Sequence, residues 1–187
     1  MGEQINAVDV LINDHREVEG LFDRYEKETN TNERTKIAHA VIHELAVHGE
    51  IEELLFYPRV RSALSGGNAL ADEAIDEHKD IKKTLNALDK MTAADSEFDQ
   101  KMKELIAEVR HHVEEEETEM FPKIRDAMGS DELLQLGTSL QAVKRFVPTR
   151  PHPMAPTGPV GKLMTSAPVA IVDRIRDAIR AWRDQNL

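Results

Sequence analysis

Residues 48–58 read HGEIEELLFYP, and residues 112–122 read HVEEEETEMFP. Aligned without gaps, the two stretches share the histidine, three glutamates and the proline, and both place an aromatic, Tyr57 or Phe121, before that proline. An acidic–histidine pair precedes each. Asp14-His15 puts a histidine 33 residues before His48, and Glu77-His78 puts one 34 residues before His112. The chain therefore carries two copies of one helix-pair pattern.

A helix turns about 100° per residue, so positions four apart differ by about 40°. His48 and Glu52 share one helix face, and so do His112 and Glu116. Apolar neighbours mark that face as the buried one: Val41, Leu45 and Leu55 flank the first pair, Leu105 and Val109 the second. His15 follows Leu11 by four and precedes Val18 by three, so it too faces inward. Counted from turns near residues 30, 66 and 93, the four histidines and Glu52 fall within about one helical turn of a common level. An unpaired carboxylate in a helical core costs several kcal/mol. Two carboxylates and four imidazoles in one layer therefore require a compensating cation. The set His15, His48, Glu52, His78, His112 and Glu116 suits two transition-metal ions, iron first, with zinc or manganese as alternatives. His15 and His48 would hold one ion, His78 and His112 the other, with Glu52 and Glu116 bridging. Glu53 and Glu117, one step along, compete for the bridging role. Six protein ligands leave two six-coordinate ions unsaturated, with positions open to O2, peroxide or NO.

Around this layer the apolar spacing predicts helices over 5–28, 32–64, 68–91 and 95–128. Asn32 is expected to cap the second and Asp95 or Ser96 the fourth. Gly66-Gly67 and Gly129 are expected to end the second and fourth. Pro58 and Pro122 fall inside helices, where a kink is expected. No stretch alternates like a half-buried strand. The fold class is therefore all-α, an up-down-up-down four-helix bundle over 1–128. A C-terminal helical extension follows over 129–187: a helix at 131–146, a Pro-rich connector, and a helix at 168–185 that presents Ile171, Ile175, Ile179 and Trp182 on one face.

Charge follows the same division. Residues 1–128 hold 16 basic against 30 acidic residues, a net of −14, while 129–187 carry +3. So acidic a body lacks the positive footprint that nucleic acid requires. With no cysteine and eight histidines among 187 residues, metal chemistry is confined to nitrogen and oxygen ligands. No apolar run is long enough to span a bilayer. The N-terminal MGEQINAVDVL has no basic stretch before an apolar one, so no secretory signal is expected and the chain reads as cytoplasmic.

Asp14-His15, His48-x3-Glu52-Glu53 with Tyr57-Pro58, Glu77-His78, and His112-x3-Glu116-Glu117 with Phe121-Pro122 resemble the hemerythrin-like (HHE cation-binding) proteins over residues of about 8–128. The Pro-rich tail is similar to that of actinobacterial members. The resemblance implies a non-haem di-iron centre, oxo- or hydroxo-bridged, in a four-helix bundle that carries or senses O2 or reacts with peroxide or NO. The O2 carriers have a second histidine four residues from the first on helix three; here those positions are Ala74 and Lys82. They also place an Asp five residues after the helix-four histidine, where this chain has Glu117, with Glu116 one residue earlier. One imidazole fewer implies a more open iron pair. That favours turnover of hydrogen peroxide, in a catalase-like reaction, with O2 or NO chemistry next. The alternative is a non-enzymatic O2, NO or iron sensor that reports to a partner protein through the tail.

Other candidates read as structural. His39, His43 and His111 fall on outer faces, and nothing fixes His152 in the connector. Glu108 and His111 form a single Glu-x-x-His element, where a ferritin-like site needs two. Tyr25 and Tyr57 could reach the centre as redox-active phenols, but Tyr57 lies about 180° from His48 on an unkinked helix, and both read first as core residues. Glu19 reads as a surface residue, and Met91, Met102, Met120 and Met128 as packing.

Overall fold

The computed structural model describes residues 5–147, all helix and connecting turns with no strand among them. The expected connector, the helix at 168–185 and His152 lie outside the described residues. Helix α1 (Ala7–Lys27) starts where the Asn6 side chain accepts from the Asp9 N–H at 3.0 Å. Helix α2 (Thr31–Ile51) starts at Asn30, whose side chain accepts from the N–H groups of Asn32 and Glu33. The cap is thus Asn30 rather than Asn32, because only a residue ahead of the first turn can reach those free donors.

The second and fourth long helices are not simply bent at their prolines. Each is interrupted by a five-residue π-turn, Glu52–Phe56 after α2 and Glu116–Met120 after α5 (Phe98–Glu115). The Tyr57 N–H donates to the Glu52 carbonyl, and the Phe121 N–H to that of Glu116. Proline offers no N–H, and its ring collides with the carbonyl four residues back in an α-helix. Widening the preceding turn removes the conflict. Pro58 and Pro122 then fall in the first turns of α3 (Tyr57–Ala63) and α6 (Phe121–Ala127), where a missing donor costs least. Helix α4 (Gly67–Leu88) follows a tight turn at Gly66, whose φ of 84° is the left-handed region that glycine tolerates. Ahead of α5, Asp95 accepts from Thr92 N–H and Oγ1 and so closes the preceding turn; Glu97 stands at the cap position with no side-chain bond.

Consecutive long helices run antiparallel. Helix α1 lies against α2, the α2–α3 run lies against α4, and α4 lies against α5. Ion pairs Arg110–Glu19, Arg16–Glu117 and Arg125–Asp9 close the ring between α1 and the α5–α6 run. Helix α7 (Ser130–Lys144) packs on α1 and α2. Its Leu133, Leu136, Leu140 and Val143 join a core with Val8, Leu11, Ile51, Phe56, Tyr57 and Phe121. A second core holds Val18, Phe22, Val41, Leu85, Phe98 and Leu105. Met102, Met120 and Met128 are buried, Met91 packs against the second core, and Tyr25 joins it with its hydroxyl on Asp99 at 2.9 Å. Between the two cores, on every long helix, sits one polar layer.

Gly137 lets α7 approach the start of α1: a Cβ there would sit 2.1 Å from the Ile5 carbonyl oxygen. Gly20 has nothing within 4 Å of its missing Cβ. In urea or thermal unfolding, G137A should lose about 1–3 kcal/mol through overpacking. G20A should gain up to about 1 kcal/mol from helix propensity. A G137A chain as stable as the parent would contradict the close docking of α7.

Candidate metal centre

The layer contains His15 from α1, His48 from α2, His78 from α4 and His112 from α5, with Glu52 and Glu116 at the starts of the two π-turns. None of the six is more than 4 % exposed. His15 Nε2 lies 3.2 Å from His48 Nε2, and His78 Nε2 lies 3.1 Å from His112 Nε2. Two nitrogens at right angles around one ion, each about 2.1 Å from it, are about 3 Å apart. Glu52 Oε2 stands 3.0 Å from His48 Nε2 and 3.5 Å from His78 Nε2. Glu116 Oε2 stands 3.4 Å from His15 Nε2 and 3.6 Å from His112 Nε2. Each carboxylate thus reaches one histidine of each pair. The donors form two sets able to hold a metal ion, His15–His48–Glu52–Glu116 and Glu52–His78–His112.

The hydrogen-bond inventory points the same way. Neither oxygen of fully buried Glu52 has a hydrogen-bond partner, and Glu116 Oε2 has none. These oxygens approach imidazole nitrogens without the alignment of a hydrogen bond. Side chains that aim at a common point rather than at one another have that geometry. The donor set therefore fits a pair of cations.

The four outer ring nitrogens each face a carboxylate. His15 Nδ1 meets Glu117 Oε1 at 2.8 Å, His112 Nδ1 meets Glu77 Oε2 at 2.7 Å, and His78 Nδ1 meets Glu53 Oε1 at 3.2 Å. His48 Nδ1 faces Asp14 Oδ2 at 3.6 Å. A carboxylate there orients the ring, fixes its tautomer and raises the basicity of the inner nitrogen. Glu53 and Glu117 thus stand behind histidines, while Glu52 and Glu116 face the centre. Asp14 and Glu77, read from the sequence only as parts of a motif, brace His48 and His112. Surface and edge cations steady three braces: Arg16 forks onto Glu117, Lys144 of α7 reaches Asp14 at 2.6 Å, and Lys82 reaches Glu53 at 2.6 Å.

Electrostatics reflect the concentration of acids. Burial pulls the His48 imidazolium down, but the charge of Glu52 and the nearby Asp14 carboxylate outweigh it and hold its pKa up at about 10. His112 is also raised, against its burial, by Glu116 and Glu77. His78 is lowered, because burial exceeds the help of Glu53. Burial works against the Glu116 charge, yet the imidazoles of His112, His15 and His48 hold its carboxyl far below the usual range. Without metal, a proton on His48 supplies positive charge beside Glu52.

Tyr57 is a core residue, as expected, and it also reaches the centre. A π-turn is one residue inserted into the helix and sets everything after it back by about 100°. That swings Tyr57 to the centre, where its hydroxyl donates to Glu116 Oε1 at 3.0 Å and lies 3.2 Å from His78 Nε2. Its repeat partner Phe121 stacks on His15 at 5.7 Å between ring centroids. His39, His43 and His111 are exposed, and Glu19 pairs with Arg110 at the surface. Glu108 accepts from Thr84 Oγ1.

The hemerythrin HHE cation binding domain family matches residues 6–124, and the chain belongs to it. An uncharacterized hemerythrin-like protein of Schizosaccharomyces pombe is 28% identical over 175 residues, covering 93% of this chain and 86% of that one. A DNA nickase of Nostoc is 28% identical over 148 residues, 79% of this chain but 42% of that protein. The crystal structure of a hemerythrin HHE cation binding domain-containing protein from Mycobacterium kansasii superposes with a TM-score of 0.67 at 24% identity, covering 90% of this chain and 98% of that one. Among the described residues no helix is long and apolar enough to cross a membrane.

Removing the Tyr57 hydroxyl leaves a buried Glu116 oxygen without its donor. Metal-free Y57F should unfold about 1–3 kcal/mol more easily than the parent. An unchanged urea midpoint would show that the bond contributes nothing.

Proposed function

We propose that the chain is a cytoplasmic, non-haem di-iron protein that reacts with small oxidants, hydrogen peroxide foremost. The observation that carries this reading is Glu52: a fully buried carboxylate with both oxygens unpartnered, in register with four imidazole nitrogens. His15 and His48 would hold one iron, His78 and His112 the other, with Glu52 and Glu116 shared. Iron held there supplies a redox pair able to take two electrons from one peroxide and return them to another, giving O2 and two waters. The residues supply the rest. Asp14, Glu53, Glu77 and Glu117 hold the rings in place. The two apolar cores keep bulk water away, and Tyr57 keeps its proton beside Glu116 and His78, its pKa pushed well up by burial and by Glu116 and Glu52. The −14 charge of residues 1–128 favours a small ligand over a polyanion. The nicking activity named for the Nostoc protein is therefore not carried over.

A second reading, a sensor, draws support from Lys144. Helix α7 reaches the centre through Lys144, Asp14 and His48, so a change at the metal has a physical route to the start of the C-terminal extension.

Metal analysis of the purified chain should find about two irons, with near-ultraviolet bands that zinc does not give. Loading the metal-free protein at pH 7 should acidify an unbuffered solution. A ring protonated up to about pH 10, as His48 is, must lose its proton to bind metal. The loaded protein should evolve O2 from peroxide faster than the same free iron. Two irons without such turnover would remove the enzymatic reading and leave the sensor.

A further inference from the structure

A cavity of about 20 Å³ opens beside the four histidines on the side of the second core. Val18, Leu45, Ile81, Leu85, Val109 and Val113 make most of its wall. Gly49 adds room, since a Cβ there would already touch the His78 ring at 3.4 Å. Such a space takes a ligand of about one or two non-hydrogen atoms without rearrangement. Apart from the imidazoles, its lining contains one ionisable side chain, Lys82.

Lys82 differs from the other cations that steady the braces. Arg16 is 60% exposed and Lys144 29%, whereas the Lys82 side chain is 11% exposed. Its ammonium shares one oxygen, Glu53 Oε1, with His78 Nδ1, and lies 3.4 Å from Glu50. Steadying a brace does not require burial, as Arg16 and Lys144 demonstrate from the surface. Burying an ammonium costs several kcal/mol of hydration. In a wall of low dielectric, however, the same charge acts strongly on whatever enters.

Resting on the metal-centre reading above, we propose that Lys82 is the specificity-determining residue of this cavity, making it select a small anion over a neutral diatomic. Apolar walls alone would favour O2 or NO. Although paired with Glu53 and Glu50, the ammonium has a third N–H donor for an anion at the edge of the imidazole layer, an attraction that a neutral diatomic does not share, and it gives peroxide a reason to enter as its conjugate base. Lys82 acts by charge and position and does not itself react.

The test is equilibrium titration of the iron-loaded protein with azide, a small anion, and separately with NO, each followed by its absorption change. K82M keeps the stem and removes the charge; K82R keeps the charge. K82M should weaken azide at least tenfold and leave NO within about twofold, with iron content unchanged, and K82R should restore azide binding. Raising the salt concentration should affect azide less than an exposed lysine would allow, because a buried charge is poorly screened. Parallel loss of azide and NO would overturn the inference by showing a merely structural role. So would K82M binding azide as the parent does, with the iron centre left standing. A chain that takes up no iron overturns the centre and this inference together.

Discussion

A carboxylate oxygen with no hydrogen bond in the middle of a protein must be compensated or moved. Glu52 and Glu116 sit between two apolar cores, and most of the surrounding architecture follows from keeping them there. Four helices each contribute an imidazole at one level, because one helix face offers one histidine per turn. The outer nitrogens then need acceptors to keep the inner ones free: Glu117, Glu53 and Glu77 supply three, and Asp14 faces the fourth at 3.6 Å. Those acids in turn attract Arg16, Lys82 and Lys144. A net charge of −14 over residues 1–128 is therefore partly the shell of a cation site and not simply a solvated surface.

The braces close around the bundle in a ring that the repeat dictates. The acid before the first histidine of each pair supports the histidine of the following helix: Asp14 behind His48, Glu77 behind His112. The second glutamate of each Glu-Glu supports a histidine on the next helix round, Glu53 behind His78 and Glu117 behind His15. Every helix thus depends on its neighbour for the orientation of its own ligand. The centre cannot be distorted at one ring without shifting a second helix, and α7 enters that chain through Lys144.

The convergence of His15, His48, Glu52, His78, His112 and Glu116 was legible because a four-residue spacing on an amphipathic helix is a statement about direction. The choice between Glu52 and Glu53 was less so, since neighbours 100° apart on a helix can both face a crowded interior. What separates them is which oxygen lies opposite a neighbouring helix, and that depends on tertiary packing. The acidic–histidine dipeptides carried the missing signal for two braces, because a motif element with no ligand role has to touch something that has one. Tyr57 was out of reach of the same reasoning. The helical wheel assumes a constant turn, and a proline announces trouble without saying whether the chain will bend or widen. Asn30 was missed as a cap for a smaller reason: Asn32 is equally competent chemically, and only the path of the preceding turn decides.

The π-turns also break the symmetry that the repeat builds. Both swing an aromatic toward the centre, but one is Tyr57 and the other Phe121. The phenol satisfies one oxygen of Glu116, whereas the phenyl ring stacks on His15 and satisfies nothing on Glu52. The two central carboxylates therefore differ in how much charge they offer a cation. Glu116 is partly neutralised by a hydrogen bond, and Glu52 has a hydrogen bond on neither oxygen. The His78–His112 side also carries the phenol and Lys82 at its edge, while the His15–His48 side carries Phe121. Duplication of one helix pair accounts for four ligand-bearing helices. The phenol and, among the described residues, the one buried lysine both stand beside His78, and they make the two histidine pairs chemically unequal.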